Sequence, residues 1–215
     1  MGGGGAMNLV LWSGGNDSTL VLHDLLQNHW LYVRDGEIVP QVWTLTIELP
    51  PQHTAVEEQR AARARIGEAL RAKGAHFDEH VITLSGATNR HQGDGLIQPQ
   101  LWIGNAVSLL GENDDLYAGY VGGDSALRKR DALYRMFDAA QTLGRKRGRL
   151  ILPLEYVRKV DVLRRLDEGG LAGLTWTCER PTRFMGQGLA CGGCDPCTVL
   201  AKARANPGEQ SVPDP

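Results

Sequence analysis

The stretch Ser13-Gly14-Gly15-Asn16-Asp17-Ser18-Thr19 combines the residue types that hold phosphate. It follows the apolar run Leu9-Val10-Leu11-Trp12 and precedes a helical pattern that begins at Leu20. Two adjacent glycines let the backbone approach a ligand closely, and a helix start adds free N–H groups that attract anions. The order predicts a strand, a phosphate-binding turn and a helix. The turn is not a Walker A loop, because no Gly-Lys-Ser/Thr follows. The alternative is an ordinary turn before a helix, capped by Ser18 or Asp17.

The four cysteines of the chain form a second candidate site. Cys178 is separated by twelve residues from the run C-x-x-C-x-x-C, which contains Cys191, Cys194 and Cys197. Such clustering favours a metal site over a disulfide framework, and four thiolates satisfy a closed structural zinc site. An iron–sulfur cluster is the main alternative, because the same spacing binds clusters. Free thiols or a disulfide are the third interpretation.

Length and charge limit the other possibilities. A chain of 215 residues suits one medium-sized domain, and a net charge of −2 argues against a broad nucleic-acid or membrane partner. No apolar run is long enough to span a membrane and no signal-peptide pattern is present, so we expect a cytoplasmic protein. Residues 1–6 are predicted to be a cloning scar before a natural start at Met7.

Strand and helix patterns alternate along the chain, which predicts an α/β fold with a doubly wound, mostly parallel sheet. After the first strand and helix, further strands are predicted at 42–47, 80–84, 115–120 and, at an edge, 151–154; helices are predicted at 54–73, 101–110, 125–143 and 157–166. A loop is predicted at 85–98. The predicted domain covers residues 7–175, a cysteine-containing segment packs on it over 176–205, and residues 206–215 are a disordered tail.

Ser13–Ser18 resembles, at every fixed position, the S-G-G-x-D-S loop of the ATP pyrophosphatase (PP-loop) families. Those enzymes cleave ATP between its α and β phosphates, adenylate a substrate oxygen and release pyrophosphate into this loop. With the cysteine cluster added, the chain resembles the 7-cyano-7-deazaguanine synthase family over most of residues 8–204. Further matching segments are Gln52-His53, Gly119-Tyr120, Leu154 to Val160 with Lys159, Thr175-Trp176-Thr177-Cys178, and Cys191-Gly192-Gly193-Cys194-Asp195-Pro196-Cys197.

The resemblance implies a two-stage reaction. ATP adenylates the carboxylate of the small deazapurine 7-carboxy-7-deazaguanine, and ammonia displaces AMP to give the amide. A second ATP activates the amide oxygen, and loss of AMP gives the nitrile. ATP and magnesium would serve the reaction and zinc the cysteines. The expected assembly is a homodimer, and free ammonia is the default source because no glutaminase segment is visible.

The resemblance also implies roles for particular residues. The nucleotide would be held by Ser13, Gly14, Gly15, Asn16, Asp17, Ser18, Thr19 and Thr44, and the substrate by Gln52, Asn105, Gly119, Tyr120 and Asp124. The predicted catalytic residues are Asp17, Lys159 and His53. Lys159 either neutralises phosphate or is a solvated helix lysine, and His53 either orients the substrate or is an ordinary loop residue.

Two segments depart from the family pattern. The family's Pro-x-Arg-Asn element is Pro99 to Asn105 here and lacks the arginine, and Gly-Tyr-Pro-Asp-Cys-Arg becomes Gly119-Tyr120-Val121-Gly122-Gly123-Asp124. Asp124 is expected to replace the family's aspartate after a shift. These changes leave open an enzyme that stops at the amide or adenylates another carboxylate. A PP-loop RNA-modifying enzyme and a non-catalytic nucleotide-binding subunit are further alternatives.

Overall fold

The computed structural model describes residues 7–28, 31–34, 37–48, 55–84, 97–124, 126–185 and 187–206. Its strands are β1 (Asn8–Leu11), β2 (Leu31–Arg34), β3 (Glu37–Pro40), β4 (Val42–Glu48), β5 (Asp78–Thr83), β6 (Asp115–Tyr117), β7 (Leu150–Ile151), β8 (Thr182–Phe184) and β9 (Gln187–Leu189). Its helices are α1 (Asn16–Gln27), α2 (Val56–Ala72), α3 (Ile97–Leu109), α4 (Arg130–Leu143), α5 (Lys159–Glu168) and α6 (Asp195–Ala205). Gln52, His53 and most of the predicted loop 85–98 lie outside the described residues.

A five-stranded sheet in the order β5-β4-β1-β6-β7 forms the centre, and neighbouring strands are parallel at every junction. In the middle of the sheet Val10 pairs with Thr44 on one side and with Tyr117 on the other. Parallel strands are covered on both faces, which explains why they appear in the sequence as short apolar runs. The predicted fold class is confirmed.

Helices cover both faces of this sheet. On one face α1, α2 and α5 pack through Leu20, Ile66 and Val162 onto Val10 and Val42. On the other face α3 and α4 supply a second apolar cluster, built from residues such as Ile103 and Phe137. The sheet thus lies between two helix layers, the doubly wound arrangement in which ligands bind beyond the carboxyl ends of the strands.

The structure differs from the sequence prediction in detail. The helix predicted over 125–143 opens with a 3-10 turn, Leu127–Lys129, before α4 proper. The antiparallel hairpins β2–β3 and β8–β9 and helix α6 were not predicted, because their strands have only three or four residues and α6 lies among cysteines. Strand β7 is an edge strand, as predicted, but it covers Leu150–Ile151 and ends before Pro153. Among the described residues, no helix combines the length and apolar character required to cross a membrane.

Candidate nucleotide site and metal centre

The candidate site lies where the order of the strands reverses. Strand β1 leads into α1 on one face of the sheet, and its neighbour β6 leads towards α4 on the other face. The two connections touch, because a Cβ added at Gly119 would lie 2.7 Å from Ser18 N and 2.8 Å from the Asp17 carbonyl carbon. This contact brings the Ser13–Thr19 loop and the 119–124 segment together at one crevice, where open α/β sheets bind ligands.

Hydroxyl groups brace the turn at residues 13–19. Ser13 Oγ and Ser18 Oγ lie 3.1 Å apart, Ser13 N donates to Ser18 Oγ at 3.2 Å, and Gly15 N donates to Ser13 Oγ at 3.2 Å. Gly14 has a φ of +82°, a conformation that side chains rarely adopt. Thr19 is fully buried and accepts a 3.2 Å hydrogen bond from Trp12 Nε1. Thr19 therefore supports the loop, while the turn before it presents the start of α1.

Neighbouring segments fix this loop from two sides. Trp176 N donates to the Gly14 carbonyl at 2.9 Å, and the Thr175 hydroxyl donates to Asn16 Oδ1 at 2.5 Å. On the α2 side, a Cβ added at Gly14 would lie 2.9 Å from Arg63 Cγ. Any side chain at position 14 would therefore meet both backbone strain and a clash.

Asp17 and Lys159 form an ion pair in the crevice. Lys159 Nζ lies 2.6 Å from both Asp17 carboxylate oxygens, and the lysine is only 6% exposed. This burial contradicts the interpretation of Lys159 as a solvated helix lysine. Burial raises the pKa of Asp17, and the Lys159 ammonium works against that increase. The pair places a cation and a carboxylate, the natural partners of phosphate and magnesium, beside the loop.

Asp124 adds a second carboxyl group to the crevice. Its Oδ2 accepts a 3.0 Å hydrogen bond from Val121 N, which closes a turn after β6. Burial, assisted by the negative charge of Asp17, raises the pKa of Asp124 to about 6. Burial also raises the pKa of the neighbouring Tyr120 phenol. Asp124 is therefore poised to gain or lose a proton near neutral pH.

Two predicted site residues make their hydrogen bonds elsewhere. Thr44 is buried within β4 and donates to the Asp78 carbonyl of β5 at 3.4 Å. Asn105 Nδ2 donates to the Leu101 carbonyl of its own helix at 2.7 Å. Neither side chain is hydrogen-bonded to residues 13–19 within the part of the chain that the structure describes. Their binding roles remain predictions, as do those of Gln52 and His53.

An ion cluster behind the loop was missed by the sequence analysis. Glu48, at the carboxyl end of β4, accepts from Arg60 Nε at 2.8 Å and from Arg63 Nη2 at 2.6 Å. The hydrogen bonds from these arginines, that of Arg60 above all, lower the pKa of Glu48. Arg63 Nη1 is buried and has no partner among the described residues. The sequence carries a signal for this cluster: an acidic residue ends a strand, and two arginines three positions apart follow on the next helix.

The four cysteine Sγ atoms lie within 4.8 Å of one another, and Cys178, Cys194 and Cys197 are buried. Zn–S bonds of 2.3 Å give a tetrahedron with S–S edges of about 3.8 Å, and Cys194 Sγ lies 3.9 Å from Cys178 Sγ. Backbone N–H groups of Gly193 and Cys194 lower the pKa of Cys191 to about 6, which favours its thiolate, whereas burial raises the pKa of Cys178 and of Cys197. The donor set fits one tetrahedral metal ion.

No protein-family model matches the sequence, and no curated protein matches it either. Among solved structures, the U34-tRNA thiolase from Methanococcus maripaludis with its 4Fe-4S cluster is similar, with a TM-score of 0.50 and 12% sequence identity. The match covers 94% of this chain and 67% of that chain. At this identity the likeness concerns the fold. This chain has an α/β fold similar to that of the thiolase. Its own four cysteines form a cluster near the C-terminus of this chain.

Proposed function

We propose that this protein is an ATP-dependent enzyme that adenylates 7-carboxy-7-deazaguanine and, with ammonia, converts it to the amide and then the nitrile. The observation that carries the proposal is the buried Asp17–Lys159 pair beside the loop of residues 13–19, at the reversal point of the sheet. A glycine turn, a helix start and a buried lysine suit a polyphosphate, and the adjoining 119–124 segment lies at the same edge of the sheet, where the acceptor would bind.

In the first step a carboxylate oxygen of the substrate forms a bond to the α-phosphorus, and the bond to the β-phosphate oxygen breaks. Donors of the loop and Lys159 stabilise the negative charge that develops on departing pyrophosphate. Magnesium, which Asp17 would hold, would offset part of the triphosphate charge. Ammonia then attacks the carbonyl carbon of the adenylate, AMP leaves, and one proton is released with the amide.

In the second stage the amide oxygen attacks the α-phosphorus of a new ATP and pyrophosphate leaves. Two protons must then depart from nitrogen as the C–O bond to AMP breaks and the nitrile forms. We assign their removal to Asp124, because it is a half-buried carboxyl group at the crevice with a pKa of about 6. The departures from the family pattern at Gly119–Asp124 lie at this same place.

We further propose that the cysteines bind zinc. The mutual sulfur spacing fits one ion, whereas the iron atoms of a cluster would hold the four sulfurs further apart. Measuring metals and acid-labile sulfide in freshly purified protein tests this proposal. One zinc per chain is expected, and iron with sulfide would overturn the zinc assignment.

RNA modification is the second candidate, favoured by the likeness to a tRNA thiolase. Such chemistry usually requires a free catalytic cysteine or a cluster with an open iron position. All four cysteines of this chain converge on one cluster, so none is left for sulfur transfer. We therefore rank this candidate second.

Exchange of labelled pyrophosphate into ATP tests adenylation directly. Without ammonia, exchange that depends on 7-carboxy-7-deazaguanine is expected, since labelled pyrophosphate can replace the released pyrophosphate and reverse adenylation while the adenylate stays bound. Absence of exchange with this acid, but exchange with another acid, would reassign the substrate. Dependence on tRNA would favour the second candidate.

A further inference from the structure

Four consecutive residues connect the nucleotide loop to the cysteine cluster. At one end, Trp176 N donates to the Gly14 carbonyl at 2.9 Å and the Thr175 hydroxyl donates to Asn16 Oδ1 at 2.5 Å. At the other end lies Cys178, the first metal ligand, which is 2% exposed. We call Thr175–Cys178 the linking segment. Its two ends are too close in the chain to move independently.

The side chain of Trp176 also connects the nucleotide loop with the cysteine cluster. Its Nε1 donates to the Cys178 carbonyl at 2.8 Å, and its ring packs against both the cysteine cluster and the apolar core under α1. A Cβ added at Gly15 would lie 3.5 Å from the Trp176 carbonyl oxygen, which shows how closely the segment follows the loop. The position of Cys178 therefore determines where Trp176 can support Gly14.

We propose that metal bound by the four cysteines fixes the nucleotide loop through the linking segment, so that metal and nucleotide strengthen each other's binding. Trp176 is the positioning residue of this coupling. The inference rests on the proposed function only in that the loop takes a nucleotide, and it does not depend on the identity of the acid. Without metal, no bond would hold Cys178 to the other three cysteines, and the hydrogen bonds to Gly14 and Asn16 would lose this support.

Coupling between two binding sites is reciprocal. The probe is magnesium with α,β-methylene ATP, an analogue that cannot be cleaved between its α and β phosphates. Metal removal should weaken its binding by roughly 5-fold or more, and saturating probe should raise the metal affinity, measured against a competing chelator, by the same factor. AMP, which lacks the β and γ phosphates, should produce less of this effect.

Trp176→Phe tests the route while the metal stays bound, because it removes the donor to the Cys178 carbonyl and keeps an apolar ring. The variant should retain one metal per chain. Its coupling factor, the ratio of the probe Kd without metal to the Kd with metal, should fall towards 1. Trp43→Phe is the matched control, since Trp43 stacks on His80 with ring centroids 4.7 Å apart and packs against the opposite core cluster. It should keep the wild-type factor.

The outcomes separate the two proposals. If metal-loaded wild type binds the probe and metal removal leaves its Kd unchanged in folded protein, the coupling is wrong while the proposed function stands. A Trp176→Phe variant with the full wild-type factor would also overturn it. If the loaded protein binds no probe at all, both proposals fail.

Discussion

The ammonium group of Lys159 lies 2.6 Å from both carboxylate oxygens of Asp17, although 142 positions separate the two residues in the chain. Asp17 is in the first turn of α1 and Lys159 begins α5, and both helices cover the same face of the sheet. The proposed function would place Asp17 beside phosphate, and the fold brings the cation Lys159 to the same point. This pairing assigns Lys159 to the candidate active site.

Replacing Lys159 by methionine should lower pyrophosphate release about 10²- to 10³-fold, because a charge that stabilises the departing group is lost. Stability should fall by about 3–5 kcal/mol, since the partner carboxylate stays partly buried without a cation. Adding Asp17→Asn to this variant should restore stability and leave activity low. Urea unfolding and a pyrophosphate assay measure the two effects. Lys202→Met, on the exposed face of α6, is the control, and equal losses in both variants would contradict the assignment.

Gly119→Ala should disrupt the nucleotide loop. The added Cβ would lie 2.7 Å from Ser18 N, a backbone atom that cannot move without displacing the start of α1. We expect about 1–3 kcal/mol of destabilisation and weaker ATP binding. Gly104→Ala is the matched control, because an added Cβ there meets nothing within 4 Å and alanine favours helix α3. Calorimetric titration with Mg·ATP measures binding, and unchanged affinity in Gly119→Ala would show that the contact is dispensable.

The raised pKa of Asp124 predicts a pH dependence for nitrile formation. With the amide as substrate, which avoids the titration of ammonia, the rate should fall as the pH drops through about 6, because the protonated carboxyl cannot accept a proton. Asp124→Asn should lose most of the rate, and its remaining rate should no longer fall as the pH drops through about 6. Asp138→Asn, exposed on α4, should keep the wild-type rate and pH dependence. A wild-type profile that is flat between pH 5 and 7 would contradict the assigned role.

The same shift predicts an effect of Asp124 on stability. A carboxyl group whose pKa is raised on folding costs stability as the pH rises from its unfolded value to its folded value. The asparagine variant should therefore gain stability relative to wild type above about pH 6 and not at pH 3, as urea unfolding at the two pH values would show.

Glu48→Gln should destabilise the fold by about 3–5 kcal/mol, because it leaves the buried Arg63 without its carboxylate. The wild-type pKa of Glu48 is lowered, so this stabilisation is present above the ordinary carboxyl pKa and is lost as the pH falls through the folded value. Glu79→Gln breaks the more exposed pair with Arg71 and should cost at most about 1 kcal/mol. Comparable losses in the two variants at pH 7 would refute the importance of the buried cluster.

Periodicity predicted most of the central fold. The strand Val42–Glu48 is buried along almost its whole length, and the helix Val56–Ala72 buries residues at helical spacing along one face. The local sequence therefore specifies both elements. Short elements gave weaker signals. The β8–β9 hairpin has strands of three residues, and its Phe184 remains 64% exposed, so no apolar alternation marks it.

The candidate site was predictable where the chemistry is local and unpredictable where it depends on packing. The glycine turn and the C-x-x-C-x-x-C spacing are contiguous signals, and the structure brings all four cysteines together. Contacts such as Trp176 to Gly14, or the burial of Arg63 beneath the same glycine, join residues far apart in the chain. Only the folded arrangement shows them.

The products of the reaction test most directly whether the protein has the proposed activity, conversion of a carboxylate to a nitrile at the expense of ATP. Purified protein would be incubated with 7-carboxy-7-deazaguanine, ATP, magnesium and ammonium, and the base and nucleotide products identified by mass spectrometry. We predict the nitrile together with two AMP per molecule formed. Amide with one AMP would show that the altered Gly119–Asp124 segment halts the reaction midway. An unchanged acid, with ATP bound but no AMP released, would contradict the account.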